Sequence, residues 1–426
     1  MFFPSPIITG CVCAALFAGL ICEVQPAHIL MFIALAVLML TGVLSPEQAF
    51  AGFSNTEMLT VAVLYLIAAG FQSSGITRRL ENIIFGKTKN ARLSLLRMMI
   101  IAAFISTFFN NTPIIAILIP VVVSWCKQQH MPASKFLIPL SYTVIFGGLC
   151  SLIGTSTNLV VSGLMEKANL GGMGFFEISY IGIPVAVLGI LYMVTIGFNA
   201  LPSHKSPVES VKEQANELPI HVCLEQTTTS AWNQILPIFI LLSMIIAVAA
   251  GYTSIFQAAV AAATAMLVLG VVKPSAALEH IDWAVLIVIA CSFGIASAIS
   301  NSGLADIIAK LIVSYIGGYG AIVGLFAIIT ATCIITEFLT NNAAAALMFP
   351  LAIAVANQFQ ADPRAFAIAV AIGASAGFAM PFGYQTHLMI YGPGGYRLVD
   401  FLKVGIPIDI LYIAAGSLLI PLFYHL

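Results

Sequence analysis

The chain has 426 residues, 60% of them hydrophobic and 8% charged, with a net charge of −1 and a mean hydropathy of +1.05. A soluble domain carries roughly 25% charged residues, so a chain this apolar belongs in a bilayer as several spanning helices. Strand-type alternation is absent, which argues against a β-barrel, and no basic stripe supports nucleic-acid binding.

In chain order, Met1 to Pro6 carries no Lys or Arg, so the first apolar run reads as a permanent helix rather than a secretory signal. Apolar runs lie near 7–23, 27–43, 57–74, 98–125, 136–165, 176–200, 233–250, 254–272, 283–300, 321–356, 365–391 and 404–424. Most fit the about 20 residues that cross about 30 Å of hydrocarbon. Segment 76–96 is basic with interspersed Leu and Ile, Ile84 and Phe85 among its residues, and reads as a helix lying on the inner leaflet. A polar stretch at 201–232 with Pro202, Pro207 and Pro219 reads as a linker. The eight cysteines show no metal-ligand spacing and read as small buried residues.

Two polar breaks interrupt the apolar sequence. One is Ser106-Thr107-Phe108-Phe109-Asn110-Asn111-Thr112-Pro113. The other is Thr336-Glu337-Phe338-Leu339-Thr340-Asn341-Asn342-Ala343. Paired asparagines in such a setting are costly unless something polar answers them. The breaks are one offset apart, about 230 positions. Gly42–Pro46 matches Gly270–Pro274, Ser74-Gly75-Ile76 matches Ser302-Gly303-Leu304, and Gly154–Asn158 matches Gly383–His387 at 228 or 229. The chain therefore reads as two copies, 1–200 and 233–426, joined by the 201–232 linker.

From Met98 to Asn110 is a helix of about 20 Å, too short to cross, so 98–125 and 321–356 can each enter and return as a re-entrant hairpin. One kinked spanning helix is the alternative. Loop charge decides between them. With hairpins, each repeat has five spans, the repeats are inverted, and thirteen Lys and Arg fall inside against Lys167, Lys310 and Arg364 outside. The fold expected is an all-α polytopic membrane protein: two inverted repeats of five transmembrane helices plus one re-entrant hairpin each. Its first hairpin dips from the cytoplasmic side and its second from the outer side. Both termini lie outside the plasma (inner) membrane and the linker lies in the cytoplasm.

Each tip has a companion break in the helix that follows, Gly147–Asn158 and Ala374–His387. Glycines, hydroxyls and Pro381 interrupt a helix there. Broken backbone at membrane depth lines a cavity or binds something. Helix N-termini there face anions, and unwound carbonyls and hydroxyls suit Na⁺. Glu337, beside the second tip, is the lone intramembrane carboxylate on this reading; pairing with a hydroxyl to stabilise the hairpin is the favoured role, and a titrating proton site is the alternative. No enzyme constellation stands at membrane depth.

The paired tips and the Gly-Gly…Ile-Gly-Thr…Asn run of 147–158 resemble the divalent-anion/sodium symporter (DASS) family of the ion transporter superfamily. The resemblance covers both repeats and implies a homodimer that carries a divalent anion, sulfate or a dicarboxylate, with Na⁺ at two or more sites. Family tips read Ser-Asn-Thr, where this chain has Asn110-Asn111-Thr112 and Thr340-Asn341-Asn342. By position, a first Na⁺ site would use Ser106, Asn110, Asn111 and Gly148, and a second Thr336, Leu339, Asn341 and Ala374. Substrate would meet Asn111, Thr112, Asn341 and Asn342, with Thr157, Asn158, Thr386 and His387 from the companion breaks. The family's dimer scaffold would correspond to spans near 27–74 and 254–300. Other carriers of the superfamily, proton-coupled, Na⁺/H⁺-exchanging or arsenite-type, are the alternative.

Overall fold

A computed structural model describes residues 5–22, 24–73, 84–85, 90–203, 231–249, 252–272, 281, 283–316, 320–381 and 383–426. It is 79% helical, with no strand among the described residues. Residues 204–230 of the 201–232 linker and most of the basic segment 76–96 lie outside the described residues. Of that segment, Ile84 and Phe85 are fully buried. Phe85 stacks on Trp125 with centroids 4.1 Å apart, so these two side chains face protein.

The first half contains α1 (Ser5–Ile21), α2 (Ala27–Leu40), the short α3 (Pro46–Phe50), α4 (Thr56–Ser73), α5 (Ala91–Ser106), α6 (Asn111–Gln128), α7 (Ser134–Gly148), α8 (Ser156–Lys167) and α9 (Ser179–Tyr192). The second contains α10 (Ala231–Ala249), α11 (Ile255–Val268), α12 (Trp283–Asn301), α13 (Leu304–Ile316), α14 (Ala321–Thr336), α15 (Asn341–Phe359), α16 (Pro363–Ala374), α17 (Gln385–Gly394) and α18 (Leu398–Phe423). Helical stretches at Pro46–Ile67, Ser179–Ala200, Trp283–Asn301, Asn341–Phe359 and Leu398–Phe423 are long and apolar enough to cross a bilayer. The chain is a multi-pass membrane protein.

The two halves pack alike. α5 lies on α7 as α14 lies on α16, and α4 lies on α11 as α12 lies on α2. Contacts between the halves are reciprocal: α6 meets α17 while α15 meets α8, and α7 meets α17 while α16 meets α8.

Both breaks fall where the sequence puts them. α5 ends at Ser106 and α6 starts at Asn111; α14 ends at Thr336 and α15 starts at Asn341. Pro113 sits in the first turn of α6, where a missing N–H costs nothing. The arms are longer than the sequence reading allows. α5 begins at Ala91, because Asn90 caps it by accepting the N–H groups of Arg92 and Leu93 at 3.0 and 3.3 Å. Its 16 residues and the 18 of α6 reach about 24 and 27 Å. α14 and α15 pack along each other.

The core between the halves is aromatic. Tyr142, Phe146, Phe378, Phe401 and Tyr412 are fully buried. The ring of Phe378 lies 5.0 Å from Tyr142 and 4.9 Å from Tyr412. Tyr142 Oη donates to the Phe378 carbonyl at 2.6 Å, so α7 of the first half supports the companion break of the second.

Candidate functional site

Each tip builds the same small cluster of oxygens. In the first half, Ser106 Oγ stands 3.0 Å from Asn111 Oδ1 and 2.6 Å from the Val144 carbonyl. In the second, Thr336 Oγ1 stands 3.0 Å from Asn341 Oδ1 and 2.9 Å from the Ala374 carbonyl. Ser106 and Thr336 are the last residues of their helices and are fully buried. Gly148 adjoins the first cluster: a Cβ there would come within 3.0 Å of Asn111 Oδ1. Asn110 turns its side chain back to accept the Asn111 N–H at 2.8 Å. It also lines a cavity with Val61, Tyr65, Phe108, Phe109 and Ser156. Leu339 is buried after the end of α14, its N–H donating to Ile335 O at 3.0 Å.

Glycine lets the tips lie on the companion breaks. A Cβ on Gly154 would stand 2.6 Å from Gly148 O and 2.9 Å from Ser106 O. On Gly383, its counterpart, a Cβ would stand 2.8 Å from Thr336 O. Larger residues would push tip and break apart.

The same two positions tie tip to break in each half, with opposite chemistry. Ser151 Oγ donates to the Thr107 carbonyl. At the matching positions, the Met380 N–H donates to Glu337 Oε2 at 2.7 Å and the Ala379 N–H to Oε1 at 3.0 Å. Glu337 is not alone, which corrects the sequence reading. Asp409 of α18 takes the Phe378 N–H at 3.2 Å, the amide next to the two that Glu337 holds. Two carboxyl groups thus hold three successive amides of the second break. Pro407 and the long apolar run around Asp409 hid it. A lone acid in such a run was the available signal.

Between the halves, the tips meet the opposite breaks. Thr112 Oγ1 donates to Gln385 Oε1 at 3.2 Å. Asn342 Nδ2 donates to Ser156 Oγ at 3.2 Å, and Thr157 Oγ1 donates to Asn342 Oδ1 at 3.2 Å. Thr112 corresponds to Asn342 and Ser156 to Gln385, so these are one contact made twice. Four helix N-termini converge in pairs, α6 with α17 and α15 with α8. Each carries orphan N–H groups and the positive end of a helix dipole. No Lys or Arg occurs in 106–113, 147–158, 336–343 or 374–387. The sequence reading did not foresee that Ser156 and Gln385 meet the tips of the opposite half. Their position one residue before Thr157 and Thr386 was the available signal.

The remaining predicted residues lie deeper. Asn158 is fully buried and donates from Nδ2 to Gly148 O at 3.1 Å and Ser151 O at 2.9 Å. His387 is fully buried, with Nε2 3.0 Å from Gly377 O and Nδ1 2.8 Å from Ser141 Oγ. A carbonyl only accepts, so Nε2 carries the proton and Nδ1 takes the serine hydroxyl. Thr386 Oγ1 is buried and finds no protein partner.

On the surface of this assembly Arg364, at the start of α16, grips the loop before α9. It forms two bonds to Glu177, at 2.6 and 2.5 Å, and donates to the Leu170 and Gly172 carbonyls at 2.9 Å each. Burial raises the Glu177 carboxyl, but the Arg364 bonds, the Gly174 N–H and the Tyr424 hydroxyl together hold it below the usual range.

The family model for citrate transporters matches residues 17–371. A putative sulfur deprivation response regulator of Chlamydomonas reinhardtii is 24% identical, over 91% of this chain and 96% of its own length. An uncharacterized transporter of Synechocystis sp. is also 24% identical, over 91% and 92%. Sodium/sulfate cotransporter 1 of Chlamydomonas reinhardtii is 36% identical over 38% of this chain and 19% of its own length. Among solved structures, the Neisseria gonorrhoeae MtrF antimetabolite efflux pump aligns over 91% of this chain and 84% of its own, with a TM-score of 0.61 and 13% identity. The Alcanivorax borkumensis YdaH transporter aligns over 89% and 87%, at 0.58 and 14%. These fold neighbours are transporters, not enzymes.

Proposed function

The chain belongs to the citrate transporter family, of the DASS type, and from that premise we propose that it is a secondary active transporter, a sodium-coupled symporter of a divalent anion working by alternating access. The single observation that carries this reading is the reciprocal junction of tips and breaks, where Thr112, Asn342 and Thr157 and the helix N-termini are offered without a fixed cation. In this reading Asn111, Thr112, Asn341 and Asn342, with Thr157 and Thr386, receive the anion. Asn158 and His387 hold the breaks that present those groups. Na⁺ ions, cargo here, occupy the two oxygen clusters, where Ser106 or Thr336, an asparagine carboxamide and a carbonyl match the hard neutral donors Na⁺ takes at unwound helices.

The magnitudes favour coupling. Moving a dianion inward against 100 mV, inside negative, costs about 4.6 kcal/mol, at about 2.3 per charge. Two Na⁺ cancel that charge and a third adds an electrical drive. Two clusters related by the two-fold meet the minimum. Bound Na⁺ would also supply the positive field that the missing Lys and Arg do not.

The inverted orientation of the repeats, the re-entrant course of both hairpins, the homodimer, and the placement of both termini outside and the linker inside belong to the same proposal. The packing of α14 along α15 supports the hairpin, as does the loop charge that remains once Arg92 and Arg97 are assigned to α5. The sodium/sulfate relatives favour sulfate; the family match favours a carboxylate. A thermal-shift panel of sulfate, succinate, citrate and phosphate, each with Na⁺ and with K⁺, separates these. An anion at 100 times its Kd stabilises by about 2.7 kcal/mol. One anion that stabilises in Na⁺ and not in K⁺ supports the proposal. Equal shifts in both salts would remove sodium from it.

A further inference from the structure

In an alternating-access cycle, a tip that serves cargo must also cross after cargo has left. Its polar groups then need other partners, because an unsatisfied buried group carries its full desolvation penalty. Asn342 is 8% exposed, and its carboxamide has such partners. It exchanges bonds with Ser156 in both senses, Nδ2 to Oγ at 3.2 Å and Oγ to Oδ1 at 3.4 Å, while Thr157 donates to the same Oδ1. Ser156 is half-buried and opens α8 directly opposite the second tip. Gln385 does the same for Thr112, but at an exposed position, where water can replace it.

We propose that Ser156 is a clasp for the second tip: it is the group on which Asn342 rests when no anion is held, and it allows the unloaded carrier to return. Gln385 is its weaker, water-exposed counterpart on the first tip. Ser156 is a positioning residue here, distinct from the groups that receive the anion. The proposal rests on the transport reading above. An arriving anion takes over Asn342 Nδ2 and the Thr157 hydroxyl, and Ser156 lets go. On release the hydroxyl is again within reach of both ends of the carboxamide. Loss of the clasp would leave the loaded crossing intact and slow only the unloaded one.

Two modes of one assay separate these steps. Purified protein in proteoliposomes is tested for net uptake of labelled anion into empty vesicles, which needs the unloaded return. It is tested also for exchange of labelled against unlabelled internal anion, which does not. The probe is whichever of sulfate, succinate and citrate the wild type transports, at saturating concentration. Ser156→Ala is expected to slow net uptake about tenfold and leave exchange within about twofold. Ser156→Thr, which keeps the hydroxyl, is expected to restore net uptake. Gln385→Met is expected to slow net uptake no more than about threefold. Equal loss of both modes in Ser156→Ala, with a wild-type melting temperature, would overturn the clasp, and so would no change in either. Wild type that neither takes up nor exchanges any of the three anions would instead sink the transport reading itself.

Discussion

Asn158 and His387 perform one task in the two halves with different chemistry. Asn158 Nδ2 donates to Gly148 O at 3.1 Å, and His387 Nε2 lies 3.0 Å from Gly377 O. Both pairs are ten residues apart. Each side chain reaches back over its own break and holds a carbonyl that the interrupted helix leaves unpaired. Asn158→Ala and His387→Ala are therefore expected to destabilise by about 1–3 kcal/mol each, since each leaves buried carbonyls orphaned. Melting in detergent measures this. Asn158→Leu, close in shape but unable to donate, should lose the same hydrogen bonds as the alanine variant. Unchanged melting in all three would show that neither side chain braces its break.

The Asp409 carboxylate meets the Phe378 N–H, and Glu337 meets the two N–H groups that follow. Asp409→Ala strands one amide and removes the neighbour of Glu337, with an expected loss of about 1–3 kcal/mol. Asp409→Asn keeps an accepting oxygen and should lose less. Thermal melts of the two variants check the order, and a larger loss for the asparagine variant would contradict it.

For sodium, Ser106 and Thr336 make equivalent hydroxyl contacts at 2.6–3.0 Å. Ser106→Ala and Thr336→Ala are each expected to raise the Na⁺ concentration for half-maximal uptake about five- to tenfold while maximal rate falls less. A sodium titration of uptake reads this. No shift in either variant would place the ions elsewhere.

The Glu177–Arg364 pair sets an acid limit. The Glu177 carboxyl is held below its usual range, so its contribution is present above the ordinary glutamate pKa of about 4.3. That contribution is lost as pH falls through the lower folded-state value. Melting temperatures measured from pH 7 downward should fall more steeply for wild type than for Glu177→Gln in that acid range. Parallel curves would show that the pair adds no pH-dependent stability.

Much of this architecture was legible because polar residues in apolar sequence are conspicuous. Asn110-Asn111 and Asn341-Asn342 marked both helix breaks, and helices at the shared offset make reciprocal contacts. The start of α5 was not legible. Arg92 and Arg97 look like loop charge until Asn90 is seen capping the helix. Ser156 and Gln385 were not foreseen against the opposite tips because their role comes from the opposite half of the chain, and sequence order does not show which N-termini meet. Asp409 was hidden by the apolar residues around it. Asn158 and His387 read as cargo donors because their donors are visible in sequence, whereas the carbonyls that occupy them are not.

The most direct test is concentrative uptake of labelled sulfate, succinate and citrate into proteoliposomes with an imposed inward Na⁺ gradient. The account predicts that one of these anions accumulates above its external concentration, that K⁺ in place of Na⁺ abolishes this, and that an inside-negative potential speeds it if three Na⁺ enter per dianion. Uptake that proceeds equally well in K⁺ would contradict it.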